Sequence, residues 1–487
     1  MNLGNGKQIS EDNPMPVVMT ASNTGLVNFA KETITVGTAV KTLSKTNYQD
    51  ADQAYITFET ADVRVYLDGS TPSATDGLLY TSGSTLTLTS PSDIAKFKAI
   101  RAGASDAKLT VTYARKLGKV FSSAEPVSKL IAVASRNAPM NQGLSNGVMV
   151  NETYKIKHVA TTDMSFPRLV YPNWYLNNGE TAGPNDITVK AGIEYNGIIY
   201  PALFGGANTK LIAAGGMETT DPVKIFIPKG GIFYTRTNVV VTAGQKWPLS
   251  LTTYPGEGEG RTTGDVAHSG STTTSFEFAY SPAAIIGQAS RHYEKAVLIP
   301  GDSIASGQGE TPNDRGFIIR AVESDIGHIR VSKPSARTSD FLETVRANRM
   351  VLANYCTHAI CQLGVNDVKF DVKLEVIKAQ LLDIWNELAL KGIAVYQTTI
   401  TPVTTSSDSF ATVTNQTVSA YESVRVALND WIRTCPAPLS GYFEVADTVE
   451  AGRNSGRWVP GYTTDGTHPI AAGHASMSAA IDLNKLK

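Results

Sequence analysis

Three short clusters in the last two-fifths of the chain carry residue types suited to acyl transfer. Gly301-Asp302-Ser303 follows the apolar run AVLIP (296–300). A serine on the turn leaving a strand stands at the carboxyl edge of a sheet, where the turn can aim its own backbone N–H at an oxyanion. Gly364-Val365-Asn366-Asp367 follows THAICQL (357–363), and Asn366 can present its amide N–H₂ at the same edge. Asp465-Gly466-Thr467-His468-Pro469 precedes the last helical stretch. An Asp three residues before a His can fold back onto Nδ1, fix the tautomer and stabilise the imidazolium formed when Nε2 takes a proton. Each cluster has a plainer reading. In a chain with 41 glycines a GDS can be a bare turn, Asn366-Asp367 can be a helix cap, and an isolated DxxH can be surface.

The elements that must bring these clusters together are legible from about residue 290 onward. Strand patterns KAVLIPG (295–301), HIRVS (328–332), THAICQLG (357–364), IAVYQTTI (393–400) and YFEVAD (442–447) alternate with helical ones. Over 371–392, Leu374, Ile377, Leu381, Ile384, Leu388 and Leu390 fall mainly on one face, and Gly392 closes the helix. Further helices are expected over 417–433 and 471–483. Such alternation makes a parallel sheet with helices on both faces and ligands at the carboxyl ends of its strands. Before residue 290, Thr, Val, Gly, Asn and Ser dominate. Runs such as ITVKAGIEY (187–195), VKIFIPK (223–229) and NVVVTAG (238–244) read as β-sandwich or jelly-roll strands, with a long exposed loop over 254–272. The expected division is a leader and small β module (1–117), a β-sandwich or jelly-roll-like domain (118–290) and an α/β domain (291–487).

In this order and context, GDS, GVND and DGTH resemble the SGNH hydrolases, the GDSL esterases and lipases, over about residues 293–487. The resemblance implies an α/β/α, flavodoxin-like domain with a five-stranded parallel sheet, working as a serine esterase without cofactor or metal. It implies Ser303 as nucleophile, His468 as general base and Asp465 as the group orienting His468. The oxyanion hole would comprise the N–H groups of Ser303 and Ala336 and the Asn366 side chain. One family mark departs, because the family carries a glycine where Lys333–Ser339 places Ala336; the donor survives if φ there is negative. Arg315, Arg337 and Trp458 lie on loops at the expected edge, either touching substrate or as ordinary surface. Asp302 and Asp367 are expected to make turn and cap hydrogen bonds. Trp174 and Tyr175 would form a sugar platform or sit in a sandwich core. His158, His268, His292, His328, His358 and His474 show no metal-ligand spacing; His358 is expected within a strand and His474 exposed on a helix.

Composition narrows the partners. With 43 Lys+Arg against 44 Asp+Glu, no broad nucleic-acid footprint is expected. Three cysteines exclude a disulfide-built scaffold. No apolar run is long enough to span a membrane, and the first residues show no secretory pattern, so a protein made soluble in a cytoplasm is expected. The loop 304–316 is polar and small, unlike a lipase lid, which favours a hydrated substrate such as an O-acetylated polysaccharide. The stretch VYLDGSTPSATDGLLY (65–80) resembles small immunoglobulin-like modules of chitobiases and phage virion proteins, and the leader and first β module look similar to virion-associated proteins of bacteriophages. That resemblance implies a phage tail or tailspike component, with tail or baseplate partners and a homotrimeric assembly. The rival readings are a catalytically inactive glycan-binding adhesin and a lipid esterase or thioesterase.

Overall fold

The computed structural model describes residues 26–48, 51–116, 130–141, 143–288, 294–311 and 315–486. They fall into two compact units, Met1–Val127 and Ser128–Lys487. The leader (1–25), His292 and part of the loop after Ser303 (312–314) lie outside the described residues.

In the first unit, two antiparallel four-stranded sheets enclose one core. One sheet runs Leu26–Val36, Ala107–Lys116, Gln53–Phe58, Thr85–Leu88. The other runs Lys41–Thr42, Lys98–Arg101, Val63–Tyr66, Leu78–Tyr80. Strand alternation decides what is buried: Ala54, Ile56 and Phe58 point inward from one sheet and Val63 and Val65 from the other.

The second unit holds both the remaining β region and the α/β region, so the boundary expected between 290 and 291 falls inside one compact body. Its β part has a six-stranded antiparallel sheet in which Ile187–Tyr195 and Asn151–Val159 flank Ile232–Val240. A four-stranded sheet contains Met217–Thr219, Arg168–Pro172, Ala284–Gln288 and Leu130–Ala132. The stretch 254–272 is not wholly loop, since Gly260–Thr263 pairs with Asn151–Val159. Trp174 has no solvent exposure and Tyr175 packs partly buried against the core, so the pair is core material and no sugar platform.

The α/β part is a parallel five-stranded sheet: β1 (Ala296–Ile299), β2 (Gly327–Arg330), β3 (His358–Cys361), β4 (Ala394–Thr398) and β5 (Gly441–Phe443). The spatial order is β2-β1-β3-β4-β5, the flavodoxin-like order, whose switch point lies between β1 and β3. All residues of β1, β2 and β3 are buried, as expected of a sheet covered on both faces. The helix Leu374–Leu390 buries Ile377, Leu381, Ile384, Trp385 and Leu388. The helix expected from 417 begins at Glu422, because the β-branched Thr417 and Val418 belong to Gln416–Val418, a strand paired with Thr404–Ser406.

The β part is welded to the edge of this sheet. Asn137 bridges to Ile329 in parallel register, and the Arg330 N–H donates to the Asn137 carbonyl at 2.9 Å. One continuous apolar core runs from Ile131 to Leu486. Further along, Asn141 Nδ2 donates to the Ser332 carbonyl (3.2 Å), so the β part reaches the carboxyl end of β2. Among the described residues no helix is long and apolar enough to cross a membrane.

Candidate active site

Ser303 sits on the turn leaving β1. Gly301 is required there by close approach: a Cβ would stand 2.4 Å from the Ala305 Cβ and 3.0 Å from the Gln362 carbonyl oxygen. The following turn closes tightly, with the Ser306 N–H donating to the Asp302 carbonyl and the Gln308 N–H to the Ser303 carbonyl, each at 2.9 Å. Ser303 is 5% exposed.

His468 and Asp465 arrive from the loop after β5. The Ser303 hydroxyl stands 2.8 Å from His468 Nε2. His468 Nδ1 stands 2.6 Å from Asp465 Oδ2. The carboxylate therefore accepts the Nδ1–H hydrogen bond, which keeps the proton on Nδ1 and leaves Nε2 as the acceptor facing the serine. Burial pushes the Asp465 carboxyl upward, but the His468 side chain and the N–H groups of His468 and Thr467 outweigh it and hold the group below the usual carboxylate range. Those two N–H groups each reach Oδ1 at 2.8 Å. Gly466 makes the tight return possible, with φ +75° and a Cβ position only 1.9 Å from the Thr404 carbonyl oxygen.

Asn366 lies in the first turn of the short helix Val365–Lys369 after β3, and its Nδ2 donates one hydrogen to the Ala336 carbonyl (3.0 Å). Its second amide hydrogen has no acceptor among the described residues. The Ser303 N–H is likewise without an acceptor there. Ala336 is different: its N–H donates to the Lys333 carbonyl at 3.1 Å, so the expected third oxyanion donor is committed within its own turn. The left-handed residue of that turn is Ser335, with φ +67°, so alanine at 336 carries no strain. Asp367 ties the turn down, accepting from the Thr338 N–H (3.0 Å) and hydroxyl (2.7 Å). Burial raises the Asp367 carboxyl pKa against those bonds.

The three residues expected to touch substrate separate. Arg337 is exposed, with its guanidinium 5.8 Å from the ring of Phe370. Arg315 is instead ion-paired to Glu257 of the β part at 2.8 Å. Trp458 is fully buried, its Nε1 donating to the Gly466 carbonyl at 3.0 Å, so it supports the His468 loop from beneath and meets no substrate. His474 is also buried, where exposure was expected. It accepts the Phe317 N–H on Nδ1 (3.2 Å) and donates from Nε2 to the Gln308 carbonyl (3.0 Å), propping the turn after Ser303; burial lowers its pKa. His358 lies in β3 as expected. The sequence reading missed Phe370, 61% exposed just beyond the Asn366 helix, and Gln362 behind the nucleophile. An aromatic residue following a polar helix end was the available signal for Phe370. Among the described residues no group of three or more His, Cys, Asp or Glu is arranged to hold a metal ion.

Residues 300–475, which span all three clusters, match the model of the GDSL-like lipase/acylhydrolase family. The C-terminal domain belongs to that family. The match supports an acylhydrolase, that is, hydrolysis of an ester. Among solved structures the GDSL domain is similar to a GDSL-like lipase from Bacteroides thetaiotaomicron, with 19% identity over 39% of this chain and 87% of that one and a TM-score of 0.32. An acetylxylan esterase from Geobacillus stearothermophilus matches with 16% identity over 39% and 94% of the two chains and a TM-score of 0.30. An esterase from a Pseudoalteromonas species matches with 14% identity over 39% and 94% and a TM-score of 0.29. Among curated proteins nothing matches the chain.

Proposed function

We propose that the GDSL domain removes small acyl groups, acetyl foremost, from a carbohydrate such as a bacterial surface polysaccharide. The observation that carries the hydrolytic half is the Ser303–His468–Asp465 relay at 2.8 and 2.6 Å. Ser303 Oγ attacks the ester carbonyl as His468 Nε2 takes its proton. The tetrahedral oxyanion is held by the Ser303 N–H and the free Asn366 amide hydrogen. The intermediate collapses to an acyl-serine as His468 protonates the leaving alcohol. Water, deprotonated by His468, then releases the acid and restores the serine.

The carbohydrate half rests on the rim. Ile304 and Ala305 turn inward, while Gln308, Ser335, Arg337 and Asp465 are exposed around the relay and no apolar lid covers the described part of the loop. Phe370 beside Arg337 offers an exposed ring with a cation next to it, suited to one face of a sugar. A phage tail is the setting proposed with this activity, on the resemblance of the N-terminal segment alone; sedimentation of the full chain tests the trimer implied with it.

The deciding experiment compares p-nitrophenyl acetate with the octanoate ester, for the native chain and Ser303→Ala, and follows host polysaccharide by mass spectrometry. Loss of acetyl mass without chain cleavage, dependent on Ser303, is expected. Preference for the octanoate ester would favour a lipid substrate, and equal rates for both proteins would favour an inactive adhesin.

A further inference from the structure

Behind the nucleophile lies a polar pair that the reaction described above does not use. Asp302 is fully buried, and no cation partners its carboxylate among the described residues. Oδ1 accepts the Ile304 N–H at 2.9 Å and Oδ2 accepts Gln362 Nε2 at 3.1 Å. Gln362, 2% exposed, stands opposite Gly301 at the end of β3. Its Oε1 accepts the Ala305 N–H at 3.1 Å and lies 3.5 Å from the Asp302 nitrogen. Two side chains therefore engage the N–H groups of residues 302, 304 and 305. The Ser303 N–H alone in this stretch is left without an acceptor.

We propose that Asp302 and Gln362 are positioning residues for ester hydrolysis, holding the turn so that the Ser303 N–H stays free and aimed at the oxyanion. This rests on the reading of Ser303 as nucleophile. The pair costs stability, since a buried carboxyl without a cation is unfavourable, and burial, with the Asp367 charge acting the same way, pushes Asp302 up to about 7. Its polarity is also directional. Asp302 supplies two acceptors, and Gln362 supplies one donor toward Asp302 and one acceptor toward Ala305. Asp302→Asn sets an N–H₂ against the Gln362 N–H₂. Gln362→Glu sets a carboxylate against a carboxylate. Combining the two reverses the central bond and satisfies every group again, because the new carboxylate accepts from both the new amide and the Ala305 N–H.

The test is the double-mutant cycle in the full chain, read as kcat and KM for p-nitrophenyl acetate. Losing or misaiming an oxyanion donor costs up to about 10²–10³ in rate, so each single variant is expected to lower kcat by about 10- to 100-fold with KM within about threefold. The double variant is expected to recover to within about fivefold of the native rate, an interaction that independent sites do not show. Single variants within about twofold of native kcat overturn the proposal, as does a double variant whose loss is the product of the single losses. Where a single variant fails to fold, the double variant decides on the same criterion. Ser303→Ala in the same assay separates the two failures, since an undiminished rate there removes the nucleophile reading on which the proposal rests.

Discussion

Trp458 Nε1 donates to the carbonyl of Gly466, 3.0 Å away, from a side chain with no solvent exposure. The backbone that carries the indole is itself clamped. Gln416 accepts the Trp458 N–H through Oε1 and donates through Nε2 to the Trp458 carbonyl, both at 2.8 Å. The loop that carries Asp465 and His468 thus rests on a buried aromatic reached through a polar contact. Trp458→Phe keeps most of the packing and leaves the Gly466 carbonyl without its donor. An unsatisfied buried acceptor costs about 1–3 kcal/mol, so a lower melting temperature is expected. A sub-ångström shift of His468 should also lower kcat by about tenfold. Thermal unfolding and p-nitrophenyl acetate kinetics check the two together, and a native kcat would separate the indole from the relay.

Asp465 makes a sharper case. Its Oδ1 is occupied by two N–H groups and its Oδ2 by His468 Nδ1, and the carboxyl stays below the usual carboxylate range. Asp465→Asn keeps the shape but can turn an N–H₂ toward Nδ1. The imidazole is then driven to the tautomer that presents an N–H to Ser303, which cannot take the serine proton. A loss of about 10³- to 10⁴-fold in kcat is expected, with a smaller effect on KM. Steady-state kinetics near neutral pH measure it, and a loss below tenfold would mean that His468 is oriented by something else.

The site was legible because each cluster is a short local pattern, two of them directly after a strand and the third closed within one loop. Ser303 follows AVLIP, Asn366 follows THAICQL, and the Asp465–His468 pair is closed by its own loop. The parallel sheet was legible because short β-forming runs such as AVLIP alternate with helical patterns along the chain. What stayed hidden depends on distant packing. Nothing in RWVPGY states that Trp458 is beneath a loop, and nothing near Arg315 names Glu257 in the β part. The placement of His474 could have been read, since His474 and Met477 fall on one face of the helix Ala471–Ala479 and both are buried. Its polarity argued for water, but two backbone partners satisfied both ring nitrogens. The continuity of the β and α/β parts had no local signal, because it depends on Asn137 meeting Ile329 across the edge of the sheet.

Asp302 also predicts how stability changes with pH. Burial raises its folded pKa to about 7 from an ordinary 3.8. Between those values the folded chain holds the proton and the unfolded chain has released it. Stability therefore falls as pH rises across this window and is level above it. Asp302→Asn lacks this dependence. The melting temperature of the variant relative to the native chain should increase from pH 5 to pH 8, whatever its absolute value at either end. Calorimetry at both pH values measures the variant-minus-native difference, and a difference that stays constant or decreases with pH would show that Asp302 does not titrate in this window.

The seam between the β and α/β parts should respond with the opposite sign. His328, in β2, is fully buried, and burial lowers its pKa to about 4. Its Nδ1 lies 3.2 Å from the Ile326 carbonyl and its Nε2 accepts the N–H of Arg136, from the β part, at 3.2 Å. The ring must therefore stay neutral in the fold, because a proton on Nε2 would face that N–H. His158 of the β part is buried too, with a pKa lowered to about 3, and acts in the same direction. As pH falls from about 6.5 toward 4 the unfolded chain takes protons that the folded chain refuses, so stability is lost over that window. His328→Gln keeps an acceptor for the Arg136 N–H and removes one titration. The second unit of this variant should lose less melting temperature between pH 7 and pH 5 than the native chain does. Parallel losses in the two proteins would place the acid-sensitive step away from the seam, whereas a shallower loss in the variant would locate it at the contact between Arg136 and β2.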